Sequence, residues 1–246
     1  PVTERITARG PLLVHFFEAG ELSGVRTLPF VAELHRVHGK RGLTVLGVHS
    51  PRSGLASGDE ALAAALARLA VPYAVANDHE HRIWHAYGCK GWPSTFVWRR
   101  GGVLRWVHFG EGAYHETEAA VRDELRSADG SEPPSFLDPP PVGPAPALKP
   151  PSDEVFPGGA HDRAWTPGAP DEPLEVEYAG AGAWAAMDGE GSVEVGVDGE
   201  DAGGFELDGP GLYELSSHLE HGVHEVALRL RGDIRVWSVS FAPGAG

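Results

Sequence analysis

The chain has 246 residues, 41% of them hydrophobic, which suffices for one large domain or for two with separate cores. It holds 35 acidic against 20 basic residues, a net charge of −15, and where that surplus lies it makes nucleic acid and anionic membrane surfaces poor partners. No stretch approaches the roughly 18 consecutive apolar residues of a membrane span, and the lone cysteine, Cys89, excludes an intrachain disulfide.

The start Pro1-Val2-Thr3-Glu4-Arg5 lacks the basic-then-apolar layout of a secretory leader, and a single cysteine gives no sign of an oxidising compartment, so the expected location is cytoplasmic, although a trimmed secreted or membrane-tethered protein would look the same. The charge is uneven along the chain. Residues 1–150 hold 16 acidic and 16 basic side chains, whereas residues 151–246 hold 19 and 4, so the whole acidic surplus lies in the second part.

In chain order, residues 12–17 and 43–49 are short apolar runs of the kind buried in a central sheet. Between them Val31, Leu34 and Val37 fall at helical spacing and predict a crossover helix. Residues 60–70 repeat Ala and Leu near the helical period, with Asp59 as an expected N-cap, and Asp78 is expected to cap a short helix ending at Tyr87. Residues 95–98 and 104–108 predict a hairpin around Arg100-Gly101-Gly102, and residues 116–125 a closing helix. Strand-like runs alternating with helical ones give an α/β layer fold.

Residues 129–151 are proline-rich and are expected to form an extended linker and a domain boundary. Beyond them residues 174–178, 192–197, 211–215, 223–230 and 234–241 read as strands, with a hairpin at Gly232-Asp233. The expected architecture is therefore an α/β domain over 1–128, the linker, and an all-β jelly roll or sandwich over 152–246.

The first part resembles the thioredoxin-like domains of DipZ and related TlpA-like disulfide reductases, a bacterial family. The likeness is carried by the strand at 12–17, Arg26-Thr27-Leu28-Pro29, Gly47-Val48-His49-Ser50-Pro51, Trp84-His85-Ala86-Tyr87-Gly88, Trp92-Pro93 and His108-Phe109-Gly110-Glu111-Gly112-Ala113-Tyr114. The last part resembles, more loosely, the carbohydrate-binding-module-like domain of DipZ-type proteins, through Gly211-Leu212-Tyr213-Glu214-Leu215 and the final strands. The resemblance implies a thioredoxin-like fold with a cis-proline at Pro93. It also implies that the redox Cys-x-x-Cys falls on Glu21-Leu22-Ser23-Gly24, where no sulfur is present. Dithiol exchange needs a low-pKa thiolate and a second, resolving sulfur, so that activity is not expected to carry over.

What is expected to persist is a groove for a protein, peptide or small-molecule ligand, built from Glu21, Leu22, Ser23, Gly24, Arg26, Trp92 and Pro93. The rival reading is an enzyme that reuses this groove, with Glu21, Cys89 and Ser23 as catalytic candidates. In it Glu21 is stabilised by the helix dipole and Cys89 acts as a lone thiol. A structural account of each is simpler: a helix-start carboxylate, a packed cysteine and an N-cap serine. A third reading is carbohydrate recognition on Trp165, Trp184 and Trp237.

No cofactor and no metal site are expected. His79, His81 and His85, and the pair His221 and His224, lack the three or four convergent ligands of a zinc site. Asp188-Gly189-Glu190 and Asp198-Gly199-Glu200-Asp201 read as hairpin turns rather than calcium loops.

Overall fold

In the computed structural model of the protein, residues 4–127, 129–139, 147–169 and 172–245 are described. They divide into two compact units. The first comprises Pro1–Glu18, Ser23–Pro51 and Leu69–Val142, and the second Ala19–Leu22, Arg52–Arg68 and Gly143–Gly246.

The first half of the chain supplies α1 (Glu4–Thr7), β1 (Leu12–Phe17), α2 (Leu22–His38), β2 (Thr44–His49), α3 (Asp59–Arg68), β3 (Ala74–Asn77), α4 (Arg82–Tyr87), β4 (Ser94–Trp98), β5 (Leu104–Phe109) and α5 (Tyr114–Glu124). The five strands form one mixed sheet in the order β3-β2-β1-β4-β5. The pairs β1–β2 and β2–β3 are parallel, whereas β1–β4 and β4–β5 are antiparallel. This is a thioredoxin-like sheet, and β1 at its centre is buried on all six residues because both faces are covered.

On one face Leu13, Val45 and Val97 pack with Val31 and Leu34 of α2 and Val121 of α5. On the other, Leu12, Val14, Phe16 and Phe96 pack with Cys89 and with Ile83, Trp84 and Tyr87 of the short α4. Strand β3 had no counterpart among the predicted elements. Asp59 stands inside the first turn of α3, and the first intrahelical bond runs from the Leu62 N–H to the Gly58 carbonyl, at 2.9 Å, so the helix starts one residue earlier than the capping pattern implied.

The beginning of the proline-rich stretch is tied to this unit. Glu118 of α5 accepts the Phe136 N–H at 2.9 Å, lies 3.3 Å from His38 Nε2, and takes the Ser135 hydroxyl on its other oxygen. Phe136 adds its ring to the core beside Phe30.

Among the described residues the later strands all pair antiparallel: β6 (Leu148–Lys149), β7 (Leu174–Val197), β8 (Glu200–Leu207), β9 (Gly211–Phe241) and β10 (Gly244–Ala245). The long strands change partner along their length. Residues 174–180 pair with 222–228, residues 183–187 lie between 211–216 and 236–241, and residues 191–197 lie between β8 and 226–232. Val176, Tyr178, Met187, Val226 and Val239 contribute to the shared core.

Two turn readings are corrected here. The chain runs straight through Gly232-Asp233, which pair with Gly191 and Glu190, so no hairpin forms there. Asp188-Gly189-Glu190 lies within β7, and Asp188 grips Arg235 with both oxygens at 2.7 and 2.8 Å. Gly189 is required at this crossing: its φ is +112°, and a Cβ would stand 1.8 Å from the Asp233 carbonyl oxygen. Asp198-Gly199, by contrast, is a two-residue hairpin turn with φ of 53° and 80°, closed by the pair Val197–Glu200.

Segments from the first half complete the second unit. Arg52 reaches both oxygens of Glu154 at 2.8 and 3.2 Å. Arg68 lies 3.8 Å over the Tyr213 ring and donates to the Leu212 carbonyl at 2.9 Å. Gly54 faces the Trp237 indole, where a Cβ would come within 2.2 Å of Cη2.

Candidate functional site

Helix α2 begins at Leu22, so Glu21 immediately precedes it and Ser23 lies inside its first turn rather than ahead of it as a cap. The Ser23 carbonyl accepts the Thr27 hydroxyl at 2.8 Å. Glu21 is half-buried, Leu22 and Gly24 are buried, and Arg26 is exposed. Glu21 and Leu22 belong to the segment Ala19–Leu22 of the second unit, where Gly20 faces Leu55 and Ala186; Ser23, Gly24 and Arg26 belong to the first unit.

Within the first unit, the loop after β5 joins two of the candidate residues. The Gly110 N–H donates to the Pro93 carbonyl at 2.8 Å, and the next residue, Glu111, pairs with Arg26 at 3.1 Å. Burial pushes the Glu111 carboxyl above its ordinary range, while Arg26 and a hydrogen bond with Tyr114 pull it back. Burial likewise raises the Tyr114 hydroxyl, which also bonds Thr27 of α2. The Trp92–Pro93 peptide is cis. The Trp92 ring stacks on Trp84 at 5.3 Å and 24°, and His81 meets it edge-on at 6.1 Å. Trp84 is held in turn by Asp78, whose two oxygens accept the Ile83 and Trp84 N–H groups at 3.0 and 2.8 Å and so cap α4 from three residues before its neighbour His81. Asp78 also accepts the Ser50 hydroxyl at 3.1 Å.

The Arg26–Glu111 ion pair thus stands next to the Gly110–Pro93 hydrogen bond, and Trp92, the residue before Pro93, stacks on Trp84. Such a set can hold a ligand by charge and by apolar contact. Glu111 and Tyr114 carried no role in the sequence reading. The signal that marks them is a carboxylate between two glycines directly after an edge strand, at a position where solvation would normally be free.

Cys89 does not join this site. It is 5% exposed, packed with Phe16 and Phe96, and burial pushes its thiol up to about 12. It therefore offers no thiolate near neutral pH. Two further histidines are buried in the sheet, His15 within β1 and His49 at the end of β2. His15 bonds Thr95 at 3.1 Å, and burial lowers its pKa to about 3; His49 is lowered to about 4, chiefly by burial.

Elsewhere, Trp237 is 8% exposed, and Trp165 and Trp184 are half-buried, so these three present no open stacking platform. His81 and His85 rings lie 6.3 Å apart. In the β region His224 stacks not with His221 but with His218, at 3.6 Å. Among the described residues no group of three or more His, Cys, Asp or Glu is placed to hold a metal ion. No helix among them is long and apolar enough to cross a membrane.

No protein-family model matches the chain. Two curated relatives, protein DipZ of Mycobacterium bovis and protein DipZ of Mycobacterium tuberculosis, are each 30% identical to it over 117 residues, 48% of this chain but 17% of the relative. Among solved structures, a thiol-disulfide isomerase from Corynebacterium glutamicum is 18% identical, with a TM-score of 0.44 over 52% of this chain and 88% of its own. A secreted Mycobacterium tuberculosis disulfide oxidoreductase homologous to E. coli DsbE is 14% identical, with a TM-score of 0.40 over 47% and 82%. The first half of the chain is thus similar in sequence to a small part of DipZ, and its sheet order makes it thioredoxin-like in fold.

Proposed function

We propose that this chain is a thioredoxin-like protein without dithiol chemistry, which binds an extended peptide segment of a protein partner beside Pro93. Arg26 and Glu111 are the charged anchors, and Trp92, backed by Trp84, is the apolar wall. By their place in the sequence, Glu21, Leu22, Ser23 and Gly24 occupy the positions of the redox motif. The chain is organised in this reading as a thioredoxin-like domain over 1–128, a proline-rich connector over 129–151 and a β domain over 152–246.

The observation that carries the reading is that the sole thiol is buried in the aromatic core and pushed up to about 12. Sulfur exchange requires an accessible thiolate and a partner sulfur, and this chain supplies neither. The same burial counts against a single-thiol enzyme. What the fold retains in this reading is recognition, and the loop at Pro93 suits an extended polypeptide as the ligand class.

The test uses reduced, carboxymethylated insulin B chain as a model extended peptide, titrated into the full chain and followed by tryptophan fluorescence. Saturable binding is expected, weakened at least tenfold by Arg26→Ala and unchanged by Cys89→Ser, with far-UV circular dichroism constant. Absence of binding, or binding indifferent to Arg26→Ala, contradicts the reading.

A further inference from the structure

The face of the five-stranded sheet opposite α2 and α5 packs against α4, a helix of six residues. Where β4 meets β5 the register shifts between Val97 and Trp98, and Trp98 comes to pair with Leu104. A cavity of about 540 Å3 opens there. Phe96, 3% exposed, is one wall, and Tyr87 meets it edge-on at 5.0 Å and 80° and meets Trp98 at 5.9 Å and 81°. Ala86 and Leu104 stand at the rim, the latter 42% exposed.

We propose that this cavity binds one uncharged small molecule built around a flat ring system. Three observations choose that occupant. The volume lies within the roughly 300–1,000 Å3 of small-molecule sites. Among the described residues no Asp, Glu, Lys or Arg lines it, so a charged group would give up its hydration with no partner among them in return. Two of the walls are aromatic edges set near right angles, and a third ring completes the same edge-to-face arrangement. An amphipathic helix fits worse, since it needs an apolar stripe running over several turns. The Tyr87 hydroxyl adds no charge: burial raises its pKa to about 12, so it stays neutral across physiological pH. The lining shares no residue with the peptide site proposed above.

The test is a fluorescence titration of the full chain with N-phenyl-1-naphthylamine, a neutral probe built on a flat naphthalene with a phenyl ring, beside 8-anilinonaphthalene-1-sulfonate, the same skeleton with an added negative charge. The neutral probe is expected to bind saturably at one per chain, and the sulfonate at least tenfold more weakly. Ala86→Trp, which fills the mouth, and Leu104→Arg, which puts a charge on the rim, should each weaken the neutral probe at least tenfold. Both positions are at the surface, and circular dichroism confirms that each variant folds. Leu219→Arg, at a side chain 99% exposed in the β region, should change nothing. No saturable signal from the neutral probe, equal binding of the sulfonate, or binding that survives both rim variants overturns the proposal.

Discussion

The Glu111 carboxylate lies 3.1 Å from the Arg26 guanidinium, and the residue before it, Gly110, donates its N–H to the carbonyl of Pro93. One short loop thus places an ion pair beside the cis-proline segment. The pair is partly exposed, so its net contribution to stability is about 1 kcal/mol or less, and its value lies in positioning charge.

Removing Arg26 exposes the cost of burying Glu111. Burial already raises this carboxyl, so its ionisation opposes folding: the contribution to stability is fully present below the unfolded pKa and is lost as pH rises through the folded one. Without Arg26 the folded value moves further up. Arg26→Met should therefore lose more melting temperature at pH 7 than at pH 4. An equal loss at both pH values contradicts the coupling.

His15 and His49 act in the opposite direction. Their folded pKa values, about 3 and about 4, lie below the ordinary 6.5, so the unfolded chain takes up protons first. The stability they support is complete above pH 6.5 and falls as acid is added. Each histidine should contribute a slope of about 1.4 kcal/mol per pH unit between roughly pH 6 and 4. Urea unfolding at several pH values checks this, and His15→Gln should flatten the curve by one such increment.

Gly189 marks the tightest crossing in the β region. Gly189→Ala drives a methyl group into the Asp233 carbonyl at a backbone angle that disfavours any side chain. A loss of about 3 kcal/mol is expected, read as a drop in the denaturation midpoint. Ala at Gly199, in the open two-residue turn, meets no neighbour within 4 Å and should cost less, since only its φ of +80° opposes it.

Cys89 should behave as a packed apolar side chain. In the native state it should react with 5,5′-dithiobis(2-nitrobenzoate) at least a hundredfold more slowly than in guanidinium. Fast labelling of the folded chain contradicts its burial.

Much of the α/β half was legible because its signals are local. Residues 12–17 are apolar without interruption, which suits only a strand covered on both sides, and the Gly101-Gly102 pair takes the positive φ values of 91° and 85° that the hairpin reading required. Strand β3 escaped because Ala74-Val75-Ala76-Asn77 is short and weakly apolar; its place is fixed by pairing with β2. The β half was legible as strands but not as connections. Gly232-Asp233 has turn composition, yet its glycine lets two strands cross closely, a requirement set by Gly191 about 40 residues earlier in the chain. The ion pair of the candidate site was hidden for the same reason, since Arg26 and Glu111 meet only once β4 and β5 have folded back onto β1. Nothing in the composition of the proline-rich stretch shows that Glu118 of α5 accepts the Phe136 N–H, a contact between residues 18 apart.

The central claim is that this thioredoxin-like scaffold works without sulfur exchange. Its most direct test is the dithiothreitol-driven reduction of insulin by the full chain at pH 7, followed as turbidity. The account predicts a rate indistinguishable from dithiothreitol alone; catalytic acceleration that grows with protein concentration contradicts it.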